Sequence, residues 1–200
     1  MPSKIGIFGG TFNPIHNGHI KIALAALSEY DLSEVVFMPN GNPPHKKGEL
    51  ITDAELRYKM VKLATEGIDG LSVSCYEIKR EEPSYTVDTN RAMKKLYGCT
   101  LYFIIGADSL FTLDSWKTPE ILIKECKFIV ADRNCNEGTD IYKECERLNK
   151  LGGDFSCLKM EKYDVTSTQL RQRIKAGINC SDYIPENVLN FIVSNKLYTS

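Results

Sequence analysis

Net charge is nearly absent: 25 Lys and Arg stand against 26 Asp and Glu, leaving −1 at neutral pH. That balance supplies no general attraction for nucleic acid or an anionic membrane surface, so neither partner is expected and only a local basic pocket is left open. Closely spaced cysteines are missing as well. The seven are Cys75, Cys99, Cys126, Cys135, Cys145, Cys157 and Cys180, an odd number whose nearest pair is nine residues apart. Without a CxxC pair the chain has neither a zinc-ribbon ligand set nor a thioredoxin-like site, and reduced thiols are expected. No apolar run approaches the roughly 20 residues that span a bilayer, and the opening MPSKIGIFGG has no long apolar secretory core. A cytoplasmic protein is expected. Repeats, low-complexity tracts and linkers are also lacking, and 200 residues with 42% apolar and 26% charged composition predict one globular domain over 1–200.

What the chain does have is alternation. Short apolar runs at Lys4–Phe8, Val35–Met38, Leu71–Tyr76, Leu101–Ile105, Phe128–Ala131 and Phe155–Met160 read as strands. Helical patterns separate and follow them at Gly18–Tyr30, Asp53–Glu66, Val87–Tyr97, Pro119–Glu125, Thr139–Lys150, Thr168–Ala176 and Pro185–Lys196. Thr52 and Glu55 suggest a capping box, and Gly177 a helix stop. Repeated βα units predict an α/β fold with a doubly wound, mainly parallel sheet, because helices make the shortest crossovers between parallel strands. Ligands of such sheets bind beyond the carboxyl ends of the strands, near the topological switch point. The long, proline-rich, basic segment after the second strand reads as a functional loop.

The first strand runs into GGTFNPIHNGH, Gly9 to His19, and then into a helix. Glycines permit close backbone approach, and a helix N-terminus offers N–H groups and a positive dipole end, so this turn suits phosphate. His16 and His19 add two imidazoles one turn apart, a setting for oxygens that gain charge. A tight turn with two solvent-facing histidines is the structural alternative. GxxxxGK[ST] and GxGxxG are both absent, which removes P-loop enzymes and weakens hydride transfer. Far along the chain, VTSTQLRQRI lets Ser167 or Thr168 cap a helix with Arg171 in its first turn, forming a second phosphate clamp or simply a capped basic helix.

These residues resemble a known family. GGTFNPIHNGH is similar to the GGTF[DN]PxHxGH signature of nucleotidyltransferases, and VTSTQLR to their [IV]SSTx[IL]R signature. PPHK at Pro43–Lys46, the pattern carried by Glu77, Arg80, Ser84, Tyr85, Thr86, Asp88 and Thr89, FIIGADSL with Trp116 beyond it, and the closing VLNFIVSNKLY resemble bacterial nicotinate-nucleotide adenylyltransferases in order, and SYTVDT together with GADS and Trp116 narrows the likeness to that branch. The resemblance implies a Rossmann-like nucleotidyltransferase fold with Gly9, Gly10, Thr11 and Phe12 lining the nucleotide cleft. It puts His16 and His19 on the ATP phosphates and Ser167, Thr168 and Arg171 on the triphosphate, with His16, His19 and Arg171 catalytic. Lys46 would hold the mononucleotide phosphate, Gly106 and Asp108 would touch the adenylate, and Thr86 and Trp116 would recognise the pyridine. Asn40 and Arg133 complete the expected substrate contacts. Asn13 replaces the commoner Asp of the family, Thr166 a more usual Ser, and Asn134 the usual proline.

The implied reaction joins ATP and nicotinate mononucleotide into nicotinate adenine dinucleotide, the deamido form of NAD, with release of pyrophosphate. A mononucleotide phosphate is already an anion, so attack on the α-phosphorus requires neither general base nor covalent intermediate. Mg²⁺ is expected on the phosphates rather than in a protein metal site. Two alternatives share the pocket: another acceptor, such as nicotinamide mononucleotide, or a non-catalytic ATP or NAD sensor.

Overall fold

A computed structural model describes residues 3–41, 51–80, 85–132, 138–159 and 165–199. Six strands, β1 (Lys4–Gly10), β2 (Glu34–Pro39), β3 (Leu71–Val73), β4 (Thr100–Gly106), β5 (Lys127–Asp132) and β6 (Asp154–Lys159), form one sheet in the order β3-β2-β1-β4-β5-β6. Every pairing is parallel. The expected architecture is therefore present. Among the described residues the helices are α1 (Asn17–Glu29), α2 (Ala54–Thr65), α3 (Thr86–Tyr97), α4 (Ala107–Phe111), α5 (Pro119–Glu125), α6 (Asp140–Lys150), α7 (Ser167–Lys175) and α8 (Glu186–Ser194), with a 3-10 turn at Leu113–Ser115. None is long and apolar enough to cross a membrane among the described residues.

Period-two alternation in the strands sends side chains to two separate cores. In β2, Val35 and Phe37 pack with Ile20, Ala23, Met60, Val61, Val188 and Ile192 of α1, α2 and α8. Their neighbours Val36 and Met38 face the other layer, with Val87, Met93, Leu122 and Leu148 of α3, α5 and α6. Both faces of the sheet are thus covered, which is why its strands read as unbroken apolar runs.

Three local expectations are corrected. Asp53, not Thr52, caps α2, its carboxylate accepting from the N–H groups of Glu55 and Leu56. Thr166, not Ser167 or Thr168, caps α7: its hydroxyl accepts from Gln169 N–H while the Gln169 side chain reaches back to Thr166 N–H, a reciprocal pair that outcompetes a single cap. β3 ends at Val73, because only Val35, Val36 and Phe37 of β2 have partners on it. Gly177 does stop α7, at φ +69°. Six described cysteines are free thiols.

The order reverses between β1 and β4, so their carboxyl ends, Gly9–Gly10 and Gly106, diverge into loops on either side of a crevice.

Candidate active site

That crevice opens into a cavity of about 730 Å³ lined by Gly9, Gly10, Thr11, Asn40, Thr86, Asp108 and Trp116 among others. All seven are residues the sequence had nominated. Gly10 must be small, since an added Cβ would stand 2.8 Å from the Phe12 ring. Asp108 is exposed in α4, behind Gly106, which caps that helix in an extended conformation. Trp116 is half-buried in the cavity wall.

A second cluster forms where α1 and α7 begin. His16 caps α1 with extended backbone, and His19 is three residues inside it. The two rings lie 3.8 Å apart between centroids and 30° from parallel. His16 N–H donates to His19 Nδ1 at 3.2 Å. A neutral imidazole that accepts at Nδ1 carries its proton on Nε2, so this bond selects the tautomer. Phe8 and Phe12 meet the His19 ring edge-on, at 6.0 Å and 5.1 Å between centroids. The histidines are not solvent-facing. Burial holds His16 down to about 4 and His19 well below its ordinary value, the neighbouring His16 lowering the latter further.

α7 is tied to the same loop. Arg171 Nη1 donates to the Asn13 carbonyl at 2.8 Å, its Nη2 to Thr168 Oγ1 at 3.2 Å, and Ser167 Oγ donates to the Pro14 carbonyl at 2.9 Å. Two signatures more than 150 positions apart in the chain thus present a guanidinium, hydroxyls and two helix N-termini around one bend. Phe12 departs from its expected place: its side chain is 3% exposed and packs in the core against Phe8, Phe37 and His19. It braces the imidazole instead of lining the cleft. Lys46 and Arg133 lie outside the described residues, as do Ser84 and Pro43–Pro44.

Asn13 sits under the bend, 4% exposed, with Oδ1 accepting from the Tyr198 hydroxyl at 2.8 Å and from Thr52 N–H at 3.4 Å. Burial pushes the Tyr198 phenol up to about 12, so it stays a donor. A neutral amide oxygen fills the acceptor position that an Asp would fill.

Sequence reasoning gave several wall residues no role of their own. Glu77 lines the cavity with its carboxylate accepting from Thr89 Oγ1 at 2.7 Å, and burial raises its pKa. Lys117, also in the wall, sits 4.2 Å over the Tyr85 ring and 3.3 Å from Asp88 Oδ2. Tyr85 caps α3 and Thr86 is its first residue, so the helix entry and the cavity wall are the same residues. Arg57 was missed too, although it interrupts the apolar stripe of α2 three and four residues before Met60 and Val61. Among the described residues no three His, Cys, Asp or Glu side chains gather as a metal cage.

Comparison with known proteins agrees with this geometry. The cytidylyltransferase-like family model matches residues 7–173. A Clostridium tetani protein described as "Probable nicotinate-nucleotide adenylyltransferase" is 41% identical over 197 residues, 98% of either chain. One of the same description from Thermoanaerobacter sp. is 40% identical over 98% of this chain and 94% of its own. The fold matches that of Plasmodium falciparum nicotinic acid mononucleotide adenylyltransferase, solved with NaAD, at a TM-score of 0.78 and 20% identity over 98% of this chain and 97% of that one. With full-length identity at this level and both nucleotidyltransferase signatures folded around one bend, the chain belongs to the nicotinate-nucleotide adenylyltransferase family, within the cytidylyltransferase-like group.

Proposed function

We propose that this chain transfers AMP from ATP to nicotinate mononucleotide, producing nicotinate adenine dinucleotide and pyrophosphate. The observation that carries the reading is the convergence of His16, His19, Ser167 and Arg171 on the bend at Asn13–Pro14, beside a cavity large enough for a nucleotide. An acceptor phosphate oxygen attacks the α-phosphorus, a new P–O bond forms, and the bond to the bridging oxygen of the leaving pyrophosphate breaks. Because the nucleophile arrives ionised, the chain need only hold two polyanions in line and stabilise the charge that spreads over the phosphate oxygens.

The neutral histidines act in the free enzyme as N–H donors. Nε2–H of His19 meets phosphate oxygen, and the α1 N-terminus adds its dipole. Arg171, tethered at Nη1, contributes a cation already in position. On the acceptor side Trp116 stacks on the pyridine ring, while the first turn of α3 at Thr86 offers backbone N–H groups to its carboxylate. Asp108 takes the adenylate side of the switch point. Lys46 and Arg133 are proposed as further phosphate or ribose contacts.

Mg²⁺ accompanying ATP supplies charge neutralisation on the phosphates. Among the described residues two carboxylates line the cavity, Glu77 engaged by Thr89 and Asp108 exposed, a sparse donor set that suits an ion carried in on the substrate.

The decisive test is pyrophosphate release from ATP with nicotinate mononucleotide and with nicotinamide mononucleotide, products identified by mass. A kcat/KM higher for the acid establishes the reading. Equal values would reassign the acceptor, and no release with either would leave a binding protein.

A further inference from the structure

Arg57 is 1% exposed, the most completely buried charged side chain described, and the reaction proposed above gives it no role. All five of its N–H directions are used. Nε donates to the Thr52 carbonyl at 2.8 Å; Nη1 donates to the Thr11 carbonyl at 2.8 Å and to Asn40 Oδ1 at 3.4 Å; Nη2 donates to the carbonyls of Asn40 at 2.7 Å and Gly41 at 3.1 Å. Among the described residues no carboxylate lies within ion-pair distance of it. A buried cation is costly unless its hydrogen bonds are complete, and here carbonyl dipoles alone complete them.

What these carbonyls belong to gives the arrangement its meaning. Thr11 is in the bend after β1, and Asn40 follows β2; both line the cavity from adjacent strand ends. Gly41 then passes so close to the next segment that a Cβ there would stand 2.6 Å from the Glu77 carbonyl. Glu77 in turn receives the hydroxyl of Thr89 in α3, whose first turn forms the far wall. One rigid fork therefore holds the phosphate bend and the acceptor-side loop at a set distance.

We infer that Arg57 is a positioning residue for the adenylyl transfer: its guanidinium fixes the spacing of the Thr11 and Asn40 strand ends, and with it the alignment of the attacking phosphate and the α-phosphorus. The inference rests on the proposed activity. Each substrate keeps its own contacts when the spacing relaxes, so alignment suffers and affinity does not.

The test compares wild type with Arg57→Lys and Gly41→Ala. Lysine keeps the charge but replaces a planar fork by one ammonium, which cannot span both strand ends. Arg57→Lys is expected to lower kcat about 100-fold, the loss a displacement near 1 Å can produce, with both KM values within about threefold of wild type. Wild-type kcat in Arg57→Lys overturns the inference, as does a loss confined to KM. Should that variant fail to fold, Gly41→Ala decides: it crowds Glu77 and shifts the same loop while leaving Arg57 intact, and an unchanged kcat overturns the inference. A wild-type chain that releases no pyrophosphate would instead fault the activity. In that event a crystal structure of Arg57→Lys with unchanged spacing of the Thr11 and Asn40 carbonyls still overturns the positioning role, and a changed spacing upholds it.

Discussion

The imidazoles of His16 and His19 lie nearly face to face at 3.8 Å, and the backbone N–H of the first points the proton of the second away from itself. Two neutral rings stack there without cost, whereas two cations would repel. Replacing either by alanine is expected to lower kcat by about 10²–10³-fold, the usual consequence of removing one oriented donor to a charge-gaining oxygen. His19→Ala also leaves a gap beside the Phe8 and Phe12 rings, so its thermal midpoint should fall further than that of His16→Ala. Wild-type turnover in both would dismiss their part in the chemistry.

Acid should destabilise the fold through these same rings. The unfolded histidine titrates near 6.5, and in the folded chain His16 is held to about 4. The unfolded state therefore binds more protons between those values, and stability, fully present above 6.5, drains as pH falls through that window at up to about 1.4 kcal/mol per unit for each group. Urea unfolding of wild type and His16→Gln between pH 4 and 7 measures it. A slope that is the same in both chains contradicts the assignment.

Binding of ATP should reverse the depression. A polyanion beside the rings favours their charged forms, so each takes up a fraction of a proton below neutrality. Calorimetry in two buffers of different ionisation enthalpy near pH 5.5 should give different apparent heats. Identical heats would place the phosphates elsewhere.

Arg171 and Ser167 separate into anchor and clamp. Ser167→Ala loses one hydroxyl bond to the Pro14 carbonyl and should cost about 1 kcal/mol of stability with a small rise in KM for ATP. Arg171→Lys loses the fork that joins Asn13 to Thr168 and should lower kcat/KM about 100-fold without comparable destabilisation. Equal effects of the two substitutions on stability and rate would argue for a purely structural α7.

Trp116→Ala should act on one substrate only. Loss of about 0.5–1.5 kcal/mol of stacking raises the KM of the mononucleotide roughly two- to twelvefold and leaves that of ATP alone. A parallel rise for ATP would place the indole on the adenine.

Elements of this fold were legible wherever one residue pattern repeats over a full turn or strand. All six strands and the seven longer helices follow from apolar periodicity and end within a few residues of expectation. The five residues of α4 and the turn at Leu113 are too short to show any period, and so passed unread. Cap choices misled for a different reason. Thr52, Asp53 and Thr166, Ser167, Thr168 all carry capping oxygens, and which one reaches a free N–H depends on where the chain enters the helix.

Sequence alone determined the chemistry of the parts: a glycine bend, two histidines three apart, a hydroxyl-rich helix start with arginine, and a doubly wound sheet to carry them. Tertiary structure decided how those parts are held. Arg57 receives its meaning from carbonyls 46, 17 and 16 positions away, Asn13 from a phenol 185 positions away, and Phe12 from a core it enters instead of a cleft. Backbone carbonyls are the same in every residue, so no pattern of side chains announces which of them a buried guanidinium will find; only the packed sheet brings them within reach.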